Sequence, residues 1–128
     1  MRYSFSAEFL RVMPPDTTFG NAWESLCFDL LAAEYGPSGL QRLNAPDSGI
    51  DILRRTTETA IQCKSDERGA FGSLTAGESV KSLKAAVCAR PEIAWQCYTY
   101  ATNANFTGSA VKSILAEASG ALQFRADD

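Results

Sequence analysis

The stretch SGIDILRRTTETAIQCKS, residues 48–65, holds two short apolar runs, IDILRR and TAIQCKS, on either side of the polar Thr56-Thr57-Glu58. Runs of this length, bounded by turn-forming residues, read as two strands of an antiparallel hairpin. Alternate side chains of a strand share a face, so Ile50, Ile52, Ile61 and Cys63 are expected on one side and Asp51, Gln62 and Lys64 on the other. The hairpin would thereby gather a carboxylate, an amide and an ammonium group in one place.

Upstream, DTTFGNAWESLCFDLLAAEYG carries Phe19, Trp23, Leu26 and Leu30 at helical spacing and closes on Gly36, where a helix C-terminus favours glycine. Glu24 follows Trp23 on that helix and so belongs at the edge of its buried face. The turn-rich segment GPSGLQRLNAPDSG leaves room for a short strand at Leu40–Leu43. Downstream, SDERGAFGSL reads as a loop, and Thr75-x-x-Glu78 has the form of a capping box opening the helix AGESVKSLKAAVCAR, which Pro91 ends. IAWQCYTYATN reads as a further strand, and Thr107 as the N-cap of a last helix that runs through Ala110, Ile114 and Leu115 to Gly120. Trp23 and Trp95 fall on buried patterns.

The order is helix, two or three strands, helix, strand, helix. Helices between strands predict an α/β fold, a small mixed central sheet flanked by helices on both faces. At 128 residues, one domain is expected, with its core over about residues 16–118. The tail ALQFRADD reads as a linker or the start of another strand, so the chain is expected to be the N-terminal domain of a longer protein.

Composition narrows the chemistry. Hydrophobic residues at 45% and charged residues at 21% match a folded soluble domain and argue against disorder. The apolar stretches are far shorter than the roughly 18–20 residues that span a bilayer, so no membrane association is expected. Glu8 and Arg11 interrupt what would be the apolar region of a signal peptide, which favours a cytoplasmic location. Cys27, Cys63, Cys88 and Cys97 form no C-x-x-C pair and the chain has no histidine, so zinc modules and histidine-based nucleophile systems are disfavoured. Buried reduced thiols are the expectation for the cysteines. A net charge of −3 and a pI of about 4.9 speak against a broad basic surface; any DNA contact must be local or assisted.

Asp51, ten intervening residues, Gln62, one residue and Lys64 make the pattern D-x10-Q-x-K. Together with Gly49-Ile50-Asp51-Ile52 and Glu24 on the first helix, it resembles the PD-(D/E)XK nuclease superfamily, and more closely its Mrr-like restriction endonuclease branch. The resemblance covers about residues 19–115 and implies a restriction-endonuclease-like core with the element order αβββαβ. It also implies a Mg2+-dependent endonuclease, with Mn2+ as a substitute, that hydrolyses phosphodiester bonds of double-stranded DNA. The setting it implies is the effector of a prokaryotic restriction or anti-phage system. Cutting two strands calls for two active sites, hence a homo-oligomer of at least two chains, or attachment to a fused sensor or ATPase domain.

Phosphodiester hydrolysis needs an activated water and relief of the charge that builds on the phosphate, and a hard divalent cation serves both. Magnesium takes oxygen ligands and keeps several waters, so one or two carboxylates suffice. Asp51 is the expected main ligand, with the Gln62 side-chain oxygen and the Cys63 backbone carbonyl as further ligands. Glu24 would bind the metal or orient a water on it. Lys64 would lower the pKa of the attacking water or stabilise the pentavalent phosphate. Gln62 departs from the Asp or Glu usual in the superfamily, a replacement the Mrr-like branch shares. Asp47 is a secondary candidate that reads equally as a turn residue. Arg54, Arg55, Arg68, Lys81 and Lys84 are candidates for phosphate contact, with a solvated face as the alternative. The alternative for the whole chain is an inactive nuclease-like domain that serves nucleic-acid or protein binding and assembly.

Overall fold

The computed structural model describes residues 18–43 and 48–122. Helix α1, Phe19–Tyr35, starts where Thr18 Oγ1 accepts the Asn21 N–H at 3.1 Å and stops at Gly36, whose φ of +85° an L side chain rarely adopts. Its buried stripe is Phe19, Trp23 and Cys27, spaced four apart. Leu30, expected on that stripe, is 53% exposed because the four-residue spacing carries the stripe on to Leu31, which packs partly buried against the same cluster.

Strands β1 (Leu40–Arg42), β2 (Ile52–Arg54) and β3 (Thr59–Lys64) form an antiparallel meander in which Ile52 faces Ile61 and Leu53 faces Ala60. The β2–β3 connection is the expected polar turn, closed by a bond from the Glu58 N–H to the Arg55 carbonyl, with Glu58 at φ +50°. A two-residue strand β4 (Ser73–Leu74) and helix α2 (Ala76–Cys88) lead to β5 (Cys97–Thr102), which lies parallel to β3. The sheet order is β1-β2-β3-β5. Strand β6 (Asn105–Phe106) pairs with β4, and helix α3 (Gly108–Leu122) follows, opened by Thr107 Oγ1 accepting the Ala110 N–H. Gly120, expected to end that helix, lies inside it; one glycine costs a helix about 1 kcal/mol and does not by itself stop it.

Helices cover both faces of this mixed sheet, as expected. On one side Phe19, Trp23 and Cys27 of α1 pack on Ile52 and Ile61, and the Trp23 indole N–H reaches the Ala101 carbonyl at 3.0 Å. On the other, Leu83 and Ala86 of α2 pack on Ile50, Leu53, Ala60 and Trp95, with Ile114 and Ala118 of α3 behind them. The strand expected from Ile93 begins only at Cys97. The preceding residues turn inward so that Trp95, 2% exposed, fills the core and gives its indole N–H to the Ala86 carbonyl at 2.9 Å. No helix among the described residues is long and apolar enough to cross a membrane.

Three expectations of detail are corrected. Ile50 and Ile52 do not share a face: Ile50 packs toward α2 and Ile52 toward α1. Gly49 has φ +70°, and Asp51 lies outside β2, its N–H bonded to the Ile61 carbonyl off the straight ladder, so the strand alternation fails one residue before β2. Thr75 occupies the N-cap position of α2 but makes no side-chain bond there, so Thr75 and Glu78 do not form a capping box. Cys88 and Cys97 are exposed, since each sits at an element end beyond the core. The tail from residue 123, the N-terminal segment through residue 17, and Asp47 lie outside the described residues.

Candidate active site

The face of β3 that carries Ala60, Gln62 and Lys64 is apolar in its first half and opens at its C-terminal end. Leu83 of α2 closes over Ala60, whereas Gln62 and Lys64 emerge into a cavity of about 500 Å³ between the sheet and α2. Asp51, Gly49, Glu78 and Lys81 line the same cavity. Asp51, just before β2, gives its N–H to the Ile61 carbonyl and takes the Cys63 N–H on its carboxylate, so its two bonds bracket Gln62 on β3, with Lys64 two residues on.

The wall of this cavity depends on glycine. A Cβ at Gly49 would lie 2.0 Å from the Ser82 carbonyl oxygen, so only glycine lets the loop rest on α2. Two tyrosines of β5 brace the same region: Tyr98 donates its hydroxyl to the Gly49 carbonyl at 2.6 Å, and Tyr100 donates to the Ser79 carbonyl at 2.7 Å. Burial pushes both phenols up, Tyr100 to about 12, so they serve as neutral donors and not as bases.

Asp51 is the best anchored polar group of the site. Its Oδ2 accepts the Cys63 N–H at 2.8 Å, which ties the loop before β2 to the neighbouring strand. Burial raises its pKa above the ordinary aspartate value; the Cys63 amide works against that shift, Glu24 adds to it, and Lys64 and Arg42 oppose it. Burial lowers the pKa of Lys64, while Glu78 and Asp51 hold its proton and Lys81 repels it. Each charge thus sits where water solvates it poorly and where a charged ligand would be strongly felt.

Gln62 supplies an acceptor that no group among the described residues uses. Its Oε1 is buried and accepts no hydrogen bond from them. An orphaned buried acceptor is costly, which makes it a ready ligand for a hard cation or an incoming donor. Among the described residues no group of three or more Asp, Glu or Cys side chains could hold a metal by itself. The oxygens of Asp51 and Gln62 do fit magnesium, which keeps several waters and needs few protein ligands.

The other candidates divide by position. Glu24 does not line the cavity; it pairs with Arg42 of β1 at 3.2 Å and reaches the site through its effect on Asp51. Cys63 faces α1 and shares a hydrogen bond with Cys27, which holds the Cys27 thiol below and the Cys63 thiol above the ordinary value. Arg54 stacks its guanidinium 3.6 Å from the Tyr35 ring centroid on the α1 side, Arg68 is bonded to Asp66, and Arg55 is bonded to Gln41. Lys81 stands at the cavity and Lys84 is exposed one helical turn further along α2. Glu78 was missed as a site residue because its place three after Thr75 imitates a cap; the helix it opens turns it toward Lys64 instead.

No protein-family profile, curated protein or solved structure matches the chain.

Proposed function

We propose that this chain is a divalent-metal-dependent endonuclease domain of the PD-(D/E)XK type, with a restriction-endonuclease-like core, that hydrolyses phosphodiester bonds of double-stranded DNA. One observation carries the reading: Asp51, just before β2, and the buried Gln62 Oε1 of β3, which has no partner among the described residues, line the same cavity that receives Lys64. An oxygen pair beside a partly desolvated ammonium is what metal-assisted attack on a phosphodiester requires.

Asp51 and Gln62 would hold Mg2+, or Mn2+ in its place, with the Cys63 carbonyl as a further donor. When bound there, the cation would lower the pKa of a water and offset charge on the phosphate. The Cys63 amide holds the Asp51 carboxylate through Oδ2, and Oδ1 would be the oxygen offered to the cation. Lys64 presents a compact positive charge, weakly solvated by its burial, to the phosphate oxygens as they gain charge. Lys81 and Lys84 extend that positive potential along α2 and would meet the DNA backbone, while Arg54 and Arg68 are taken up by Tyr35 and Asp66. A domain with this acidic balance binds DNA through such local groups, so a dimer or a fused domain would supply the remaining affinity. Restriction or anti-phage defence is the setting this chemistry suits.

Supercoiled plasmid incubated with the chain and Mg2+ or Mn2+ tests the reading. Nicking that chelation stops and that Asp51→Ala and Lys64→Ala both abolish is the expected result. A folded, assembled protein that binds duplex DNA and never cuts it would favour the inactive binding domain.

A further inference from the structure

The segment between Lys64 and α2 carries the most exposed large apolar side chain of those described: Phe71 is 88% exposed. A free phenyl ring in water is a cost that nothing among the described residues offsets. Ordinarily such a ring sits on a loose loop that can fold it back. Here hydrogen bonds tie the loop down on both sides of the ring. Asp66 donates its N–H to Asn103 Oδ1 at 3.0 Å, and Asn103 Nδ2 returns a bond to the Asp66 carbonyl at 2.8 Å. Asp66 also binds Arg68 through both its backbone N–H and its guanidinium. A short 3-10 turn at Gly69–Phe71 closes with the Gly72 N–H on the Gly69 carbonyl, and Gly72 lies so tightly on Asp66 that a Cβ would come within 2.4 Å of its Cγ.

Position matters as much as rigidity. Asn103 directly follows β5, whose last residue, Thr102, is the register partner of Lys64. The turn is therefore pinned at the same end of the sheet as the candidate site, and its exit leads straight into α2, whose Glu78 and Lys81 line the cavity. Asp66 and Arg68 cancel, leaving exposed Glu67 as the net charge of the turn, so any hold it has on DNA comes from the ring and not from attraction to phosphate.

We infer that Phe71 is a preorganised wedge that inserts between base steps of the duplex that the Asp51–Lys64 site cuts; the inference rests on the nuclease reading. A rigid aromatic tip binds bases with little loss of freedom, and apolar wedges of this kind unstack a step and kink the duplex. The pyrimidine–purine steps TA and CA unstack most easily, so the wedge biases binding and cutting toward them.

The test uses the full chain, duplexes carrying 2-aminopurine at a TA step, and the variants Phe71→Ala and Phe71→Trp. Wild type is expected to raise 2-aminopurine fluorescence on binding. Phe71→Ala should lose that signal and about tenfold in affinity, and Phe71→Trp should restore both. The loss should be the same at low and high salt, because stacking releases no counterions. Equal affinity and equal fluorescence for wild type and Phe71→Ala would overturn the wedge, as would a change in self-association with DNA affinity untouched. Metal-dependent plasmid nicking that survives in Phe71→Ala beside either of those results would leave the nuclease reading standing while the wedge falls. Failure of wild type to bind duplex DNA would remove both.

Discussion

Asp51 Oδ2 accepts the backbone N–H of Cys63 at 2.8 Å, so a carboxylate outside the sheet replaces a ladder partner at the point where β2 has not yet begun. The bond fixes the carboxylate beside Gln62 while burial works against its charge. Stability and the proposed metal chemistry therefore make opposite demands on one residue.

Replacing Asp51 with Asn should stabilise the fold at neutral pH and abolish cleavage. The folded-state pKa lies above the ordinary 3.8, so protonated Asp51 contributes stability below that value, and the contribution is lost as pH rises through the folded pKa. Thermal unfolding followed across pH should show the two proteins equal under acid conditions and the variant more stable above them. Asp51→Ala should instead be destabilised by about 1–3 kcal/mol, because it leaves the Cys63 N–H without its acceptor. A wild type that gains on Asp51→Asn as pH rises would contradict the burial argument.

Gln62 should show the same opposition more simply. Gln62→Met removes the orphaned acceptor and should raise unfolding stability by about 1 kcal/mol in urea titration while weakening Mg2+ binding. Gln62→Glu should act in reverse, tightening Mg2+ and costing stability in its absence.

Lys64→Met is expected to lower plasmid nicking by about 10²–10³-fold, the loss seen when a single group that stabilises transition-state charge is removed. Metal binding should persist in it, measured by calorimetry, which separates its role from that of Asp51.

Gly49→Ala should be among the most damaging single-methyl changes in the chain. The new Cβ would strike the Ser82 carbonyl and the residue would still need φ +70°, a combination expected to cost more than about 2 kcal/mol in chemical denaturation.

Much of this was legible in the sequence because it is local. Gly36 ends α1, Thr56–Glu58 closes the hairpin, and Thr107 caps α3, each through contacts within a few residues. That Asp51, Gln62 and Lys64 would line one cavity could be read from strand alternation across that hairpin, although Asp51 itself lies just outside β2. What alternation could not reveal was Ile50 turning away from Ile52, since that depends on Gly49 meeting Ser82 across more than thirty residues of chain. Glu78 was hidden by a motif that describes a possible hydrogen bond and not a formed one. The commitments of Arg54 to Tyr35 and of Glu24 to Arg42 were equally out of reach, because both join α1 to strands it meets only in the folded state.

Calorimetric titration of Mn2+ into wild type, Asp51→Asn and Gln62→Met tests the central claim most directly, that these two residues form one cation site. One site in wild type, absent in Asp51→Asn and weakened by about tenfold in Gln62→Met, is the expected result. Equal Mn2+ affinity in wild type and Asp51→Asn would contradict it.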